Sequence, residues 1–209
     1  MASAVNKNKC LLFVLSLMQV WYLGSCQASK TADHHSDFYS YSVLDISGKH
    51  VPLEAYRGKV SLVVNVASQC GYTHSHYQAL IALQEHFSPT GKFTVLAFPC
   101  NQFGNQEPGT NQEIRMFATH RMGANFPLFA KVNVHGPEVS PAWSYLTTRS
   151  GHVPTWNFWK YLVDHNGHVL RAWGPSTSPD QLYPDIEEAI NNIEQDQSNF
   201  SHDGSKDEF

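Results

Sequence analysis

The stretch KVSLVVNVASQCGYT, Lys59 to Thr73, decides the reading of this chain. Its run Leu62 to Ala67 is apolar apart from one residue, Asn65. A short segment that is apolar on both faces reads as a buried strand, most often in a parallel sheet. A polar turn follows, holding a lone cysteine, Cys70, and then Gly71, and a helical pattern starts near Thr73. The stretch predicts a strand, a turn and a helix, with a thiol at the junction. The first turn of a helix has unpaired N–H groups and the positive end of the helix dipole, and both favour a thiolate. A free thiol has a pKa of about 8.5, so complete ionisation gains at most about 30-fold in rate, or 2 kcal/mol. A fast thiol needs more: donors that hold the sulfur and steady the charge on the leaving group.

Working outward, His76 to Phe87 carries Tyr77, Leu80, Ile81, Leu83 and Phe87 at helical spacing, and Pro89 and Gly91 end it. Phe93 to Phe98 is a second buried strand, closed by the loop Pro99 to Gly104. Thr110 or Asn111 caps a helix over Glu113 to Arg121. Phe129 to Val134 reads as a short strand and Pro141 to Thr148 as a short helix. Phe158 to Val163 and His168 to Trp173 flank Asp164-His165-Asn166-Gly167, a strong hairpin signal. Pro179 to Ile193 is a terminal helix, and Phe38 to Ile46 alternates as a first strand. This order is an α/β layout, a thioredoxin-like fold with a central mixed sheet flanked by helices. In it, the ends of the two buried strands lie side by side, which would let Cys70 and Gln102 meet.

The termini stand apart from that domain. Residues 1–26 read as a secretory signal: Lys7 and Lys9, an apolar run to Leu23, then small residues with a cut between 24 and 28. The run is shorter than the about 20 residues of a membrane span, though an uncleaved anchor is the competing reading. Residues 27–37 are a flexible leader, 38–194 the domain, and 195–209 a polar tail ending Lys206-Asp207-Glu208-Phe209. That ending differs from the KDEL retrieval signal in one residue. Both ends point to the lumen of the endoplasmic reticulum. Asn199 opens a glycosylation sequon. The net charge of −4 gives no nucleic-acid footprint and no polybasic membrane patch.

Of the four cysteines, Cys10 and Cys26 fall in the signal or at its edge. Cys70 and Cys100 remain, without CxxC or zinc spacing. They are a structural disulfide, two inert thiols or a redox pair. His74 and His76 lie near Cys70, but their spacing turns them to different helix faces, and no metal-ligand set emerges. Neutral donors able to serve Cys70 are Gln102, Trp156 and Asn157. Taken singly, Trp156 reads as a core aromatic, and the two amides as turn residues.

Taken together, they fit a pattern. Asn65 to Thr73 (NVASQCGYT), Leu96 to Gly104 (LAFPCNQFG), Gln106-Glu107-Pro108-Gly109 and Trp156-Asn157-Phe158 closely resemble the glutathione peroxidase family. The resemblance runs from about Phe38 to Ile193. It implies a thioredoxin-like fold and a catalytic tetrad, carried over here onto Cys70, Gln102, Trp156 and Asn157. Cys70 stands where other members carry selenocysteine, so the chain resembles a non-selenium member, and Trp156 to Val163 (WNFWKYLV) with the signal and the KDEF ending resembles the endoplasmic-reticulum type. The implied activity is reduction of hydrogen peroxide or lipid hydroperoxides, with glutathione or a protein disulfide isomerase resetting the cysteine and no cofactor. The alternative is a non-catalytic lumenal redox sensor or binding module on the same fold. Where many members carry a resolving cysteine this chain has Thr119; Cys100 is either a buried structural thiol or a resolving thiol that condenses with an oxidised Cys70. The short segment His135 to Thr155 resembles the monomeric subgroup.

Overall fold

The computed structural model describes residues 37–203. The signal, the leader up to residue 36 and the Lys206–Phe209 ending lie outside the described residues. Among the described residues no helix is long and apolar enough to cross a membrane.

A four-stranded mixed sheet forms the centre, in the order β4-β3-β5-β6. Strand β3 (Val60–Val66) runs parallel to β4 (Phe93–Pro99), and every residue of both is buried. Its other edge pairs antiparallel with β5 (Lys160–Val163), which pairs in turn with the edge strand β6 (Val169–Trp173). The Asn166-Gly167 turn joins those two strands as its sequence predicts, with Gly167 at φ 95°, a region open to glycine at little cost. A separate hairpin pairs β1 (Ser42–Leu44) with β2 (His50–Pro52).

Strand alternation sorts the side chains into two cores. Leu62, Val64 and Val66 pack with α1 (Thr73–Phe87) and α4 (Tyr183–Asp203) through Tyr77, Leu80, Ile186 and Ile190. Val63, Leu96 and Phe98 face the other way, toward α3 (Pro141–Ser150) through Trp143 and Leu146. The fold is the expected thioredoxin-like α/β arrangement.

Four elements differ from expectation. Phe38–Ser40 forms a 3-10 turn capped by Asp37, whose carboxylate accepts from the Tyr39 N–H at 2.8 Å, so the first strand shrinks to three residues. Phe129 to Val134 forms no strand. It divides its hydrogen bonds between two partners: Phe129 N–H donates to Ala97, Val132 N–H to Pro99, and Ala130 N–H to Leu44. The helix capped by Thr110, α2 (Asn111–Met116), continues as a wider π turn over Phe117–Arg121. Helix α4 passes Ile193 and reaches Asp203, so it includes Asn199.

Candidate active site

Cys70 lies in the turn between β3 and α1 and is 9% exposed. One threonine closes that turn. The Thr73 hydroxyl donates to the Ala67 carbonyl at 2.7 Å and accepts the Cys70 N–H at 3.0 Å, while the Thr73 N–H donates to the Cys70 carbonyl. Cys70 thus precedes the helix by a fixed path, two residues before its N-cap, Tyr72.

The loop after β4 is stitched to this turn. The Gln69 N–H donates to the Gln106 carbonyl at 3.0 Å, and the Ser68 hydroxyl donates to Glu107 Oε1 at 2.7 Å. The loop reverses through two left-handed residues, Gly104 (φ 63°) and Asn105 (φ 51°). Glycine and asparagine are the residues that adopt this region most readily. At Gly104 a Cβ would lie 3.4 Å from the Trp156 ring, so this backbone seats the indole.

Asn157 is fully buried, and its amide donates to Gln106 Oε1 at 2.9 Å and to the Phe103 carbonyl at 3.4 Å. Its own Oδ1 is buried without a partner among the described residues, an arrangement that native structures rarely leave unexplained. Trp156 is 37% exposed, with its ring centroid 6.2 Å from that of Phe103.

Gln102 is placed differently from the sequence expectation. Its Oε1 accepts the Val134 N–H at 2.7 Å and the His135 N–H at 3.3 Å, and its Nε2 donates to the His135 carbonyl at 2.9 Å. Those bonds commit the amide to residues 134–135, while the amide that meets Asn157 belongs to Gln106. Gln106 stands in a motif that the sequence displays plainly. Two glutamines four residues apart on one loop fit the sequence equally well, and only the loop's reversal separates them.

Cys100 is fully buried and belongs to the second core, with Phe98 and Trp143, whereas Cys70 belongs to the first. The Cys100 thiol donates to Gln102 Oε1 at 3.5 Å, and burial raises its pKa. Both cysteines are free. A disulfide between them would join the two cores.

Three buried titratable groups surround this region. Glu107 is fully buried, and desolvation pushes its carboxyl up to about 7 against the lowering effects of Ser68 and Lys131. The Lys131 ammonium donates to the carbonyls of Glu107 and Gly109. Burial brings the Lys160 amine down to about 7, and it donates to the Phe158 carbonyl at 2.8 Å. His76 packs between Tyr72 and Phe158, and desolvation holds it neutral, with its pKa near 4.

Comparison with known proteins identifies the family. The family model described as glutathione peroxidase matches residues 38–147. Glutathione peroxidase 7 of Bos taurus is 52% identical over 159 residues, covering 76% of this chain and 85% of the bovine protein. The probable glutathione peroxidase 8-B of Xenopus laevis is 48% identical over 157 residues, covering 75% of each chain. Among solved structures, the crystal structure of Trgpx in apo form superposes with a TM-score of 0.62 at 32% identity. It covers 75% of this chain and 97% of that one. The fold, the thiol turn stitched to the Gln106 loop, and these matches lead to one assignment: the chain belongs to the glutathione peroxidase family.

Proposed function

We propose that this chain is a thiol peroxidase in which Cys70 is oxidised by hydrogen peroxide or a lipid hydroperoxide. The Cys70 sulfur attacks the nearer peroxide oxygen, and the O–O bond breaks. Sulfur loses two electrons and becomes a sulfenic acid. The departing oxygen takes the thiol proton and leaves as water or an alcohol. Neutral donors stabilise that oxygen without adding charge; the Gln106 amide and the Trp156 indole are assigned this role, and Asn157 holds Gln106 in place. The observation that carries the reading is the hydrogen-bonded path from Gln69, beside Cys70, through Gln106 to Asn157. The unpartnered Asn157 Oδ1 supports it, because a sulfenic O–H would supply the missing donor.

An external thiol then attacks the sulfenic sulfur and expels water, and a second thiol reduces the mixed disulfide. Glutathione or a protein disulfide isomerase fits this role. The relatives' names support the former, and the signal-like N-terminus with the KDEF ending supports the latter. In the lumen the second route couples peroxide removal to disulfide formation. The placement of Cys70 and Cys100 in different cores supports an external reductant.

The test is one equivalent of hydrogen peroxide on the reduced protein, with peptide mapping by mass spectrometry. Cys70 is expected to carry the oxidation in the wild type and in Cys100→Ser. The oxidation rate is expected to agree between the two within about twofold, since the variant leaves the attacking sulfur and its donors in place. Recovery of Cys70 as an unmodified thiol would overturn the assignment.

A further inference from the structure

Asn65 is the one interruption in the apolar run Leu62 to Ala67, and asparagine is depleted in strands. It is fully buried. An amide taken out of water without partners costs several kcal/mol, so its partners show what the residue is for. Among the described residues its hydrogen-bond partners lie in one four-residue segment, Trp156 to Trp159. Its Nδ2 donates to the Trp156 carbonyl at 3.1 Å, and its Oδ1 accepts the Trp159 N–H at 2.8 Å. Its backbone carbonyl accepts the Phe158 N–H at 2.7 Å, and its backbone N–H donates to the Trp159 carbonyl at 3.3 Å. The regular β3–β5 ladder ends at the pair Val64–Lys160. Asn65 carries the pairing one step further, into the irregular turn, using its side chain as well as its backbone.

That turn needs holding. Phe158 sits at φ 66°, a left-handed conformation that is a clear outlier for a bulky residue. Such a residue costs about 1–2 kcal/mol relative to an ordinary conformation, and it persists only where its surroundings over-determine it. Here the surroundings are the four Asn65 bonds and the Lys160 ammonium on the Phe158 carbonyl. The only residue of the segment that Asn65 does not bond is Asn157, which reaches the other way, to Gln106 and Phe103.

We infer that Asn65 is a positioning residue for the peroxide site: by clamping Trp156, Phe158 and Trp159 it holds the turn left-handed and aims Trp156 and Asn157. The inference rests on the proposed role of those two residues in Cys70 oxidation. Without the clamp, Phe158 relaxes to a negative φ and both side chains leave their places. An ångström of misplacement can cost about 100-fold in rate.

The test is single-turnover oxidation of the reduced protein by hydrogen peroxide, in Asn65→Ala, Ser61→Ala, Trp156→Phe and Asn157→Ala. Ser61 is an equally buried polar residue of β3, bonded to the Tyr39 hydroxyl at 2.9 Å and to no residue of the site. It therefore controls for the general loss of a buried hydrogen bond. Asn65→Ala is expected to slow oxidation at least about tenfold and to shift the Trp156 indole N–H resonance. Reduction of the oxidised protein by dithiothreitol is expected to change less than about threefold. Ser61→Ala is expected to lower stability but leave the oxidation rate alone. Asn65→Asp keeps the acceptor for Trp159 but, ionised, lacks the donor to Trp156, so it carries the same prediction if the alanine variant does not fold. If Trp156→Phe and Asn157→Ala slow oxidation while Asn65→Ala matches Ser61→Ala, the positioning role is overturned and the site reading stands. If Trp156→Phe and Asn157→Ala leave the rate unchanged, the site reading fails and takes the inference with it.

Discussion

Gln106→Ala is expected to slow the oxidation of Cys70 by peroxide about 100-fold, the typical cost of removing one positioned donor from a transition state. Gln102→Ala is expected to leave that rate nearly unchanged and to lower stability instead. The difference follows from where each amide goes. Gln106 accepts from Asn157, and its backbone carbonyl accepts from Gln69, so the alanine variant breaks the link between the thiol turn and Asn157. Gln102 accepts the N–H groups of Val134 and His135, and its removal leaves those donors unpaired next to the second core. An unsatisfied buried donor costs about 1–3 kcal/mol, so the melting temperature of Gln102→Ala should fall by several degrees. Stopped-flow oxidation and thermal melting on both variants make the comparison. Slow oxidation in Gln102→Ala with normal oxidation in Gln106→Ala would reverse the assignment.

Glu107→Gln is expected to stabilise the protein by about 3 kcal/mol at neutral and alkaline pH, and to lose that advantage in acid. Burial raises the folded-state pKa of Glu107 from 4.5 to about 7. An acid whose pKa is raised on folding holds its proton longer in the folded state than in the unfolded state. Folding stability therefore falls as pH rises from 4.5 to about 7 and levels off above that. Glutamine cannot ionise, and it keeps an acceptor for the Ser68 hydroxyl, so the difference between variant and wild type isolates this one group. His76 titrates with the opposite sign: its depressed pKa makes stability rise with pH between about 4 and 6.5. Lys160 behaves likewise between about 7 and 10.5. Both contributions are common to the two proteins and cancel in the difference. Urea unfolding at pH 5 and pH 8 measures it. A difference independent of pH would mean that Glu107 is ionised throughout.

What the sequence made legible was local. The run around Leu62 to Val66 announces a strand buried on both faces, and Asn166-Gly167 announces its hairpin, because burial pattern and turn chemistry are written in neighbouring residues. Cys70 was legible for the same reason, as the thiol between a strand and a helix. The face of Cys100 could have been read from alternation, since Leu96, Phe98 and Cys100 share a parity and all three lie in the second core. Other features depend on contacts distant in sequence. The choice between Gln102 and Gln106 turns on the left-handed pair Gly104 and Asn105. The segment Phe129 to Val134 failed to become a strand because β1 and β4 compete for its N–H groups. Asn65 stood out as a break in an apolar run, yet its meaning lies in a turn about 90 residues later.

If the donors around Gln106 serve Cys70 as proposed, Cys70 reacts faster than an ordinary thiol. The most direct measurement is the second-order rate constant for loss of the Cys70 thiol on mixing the reduced protein with hydrogen peroxide, beside free cysteine at the same pH. Ionisation alone gains at most about 30-fold, so a rate exceeding that of free cysteine by more than this is predicted, and it requires the donors around Gln106 and Asn157. A Cys70 that reacts no faster than free cysteine would contradict the account.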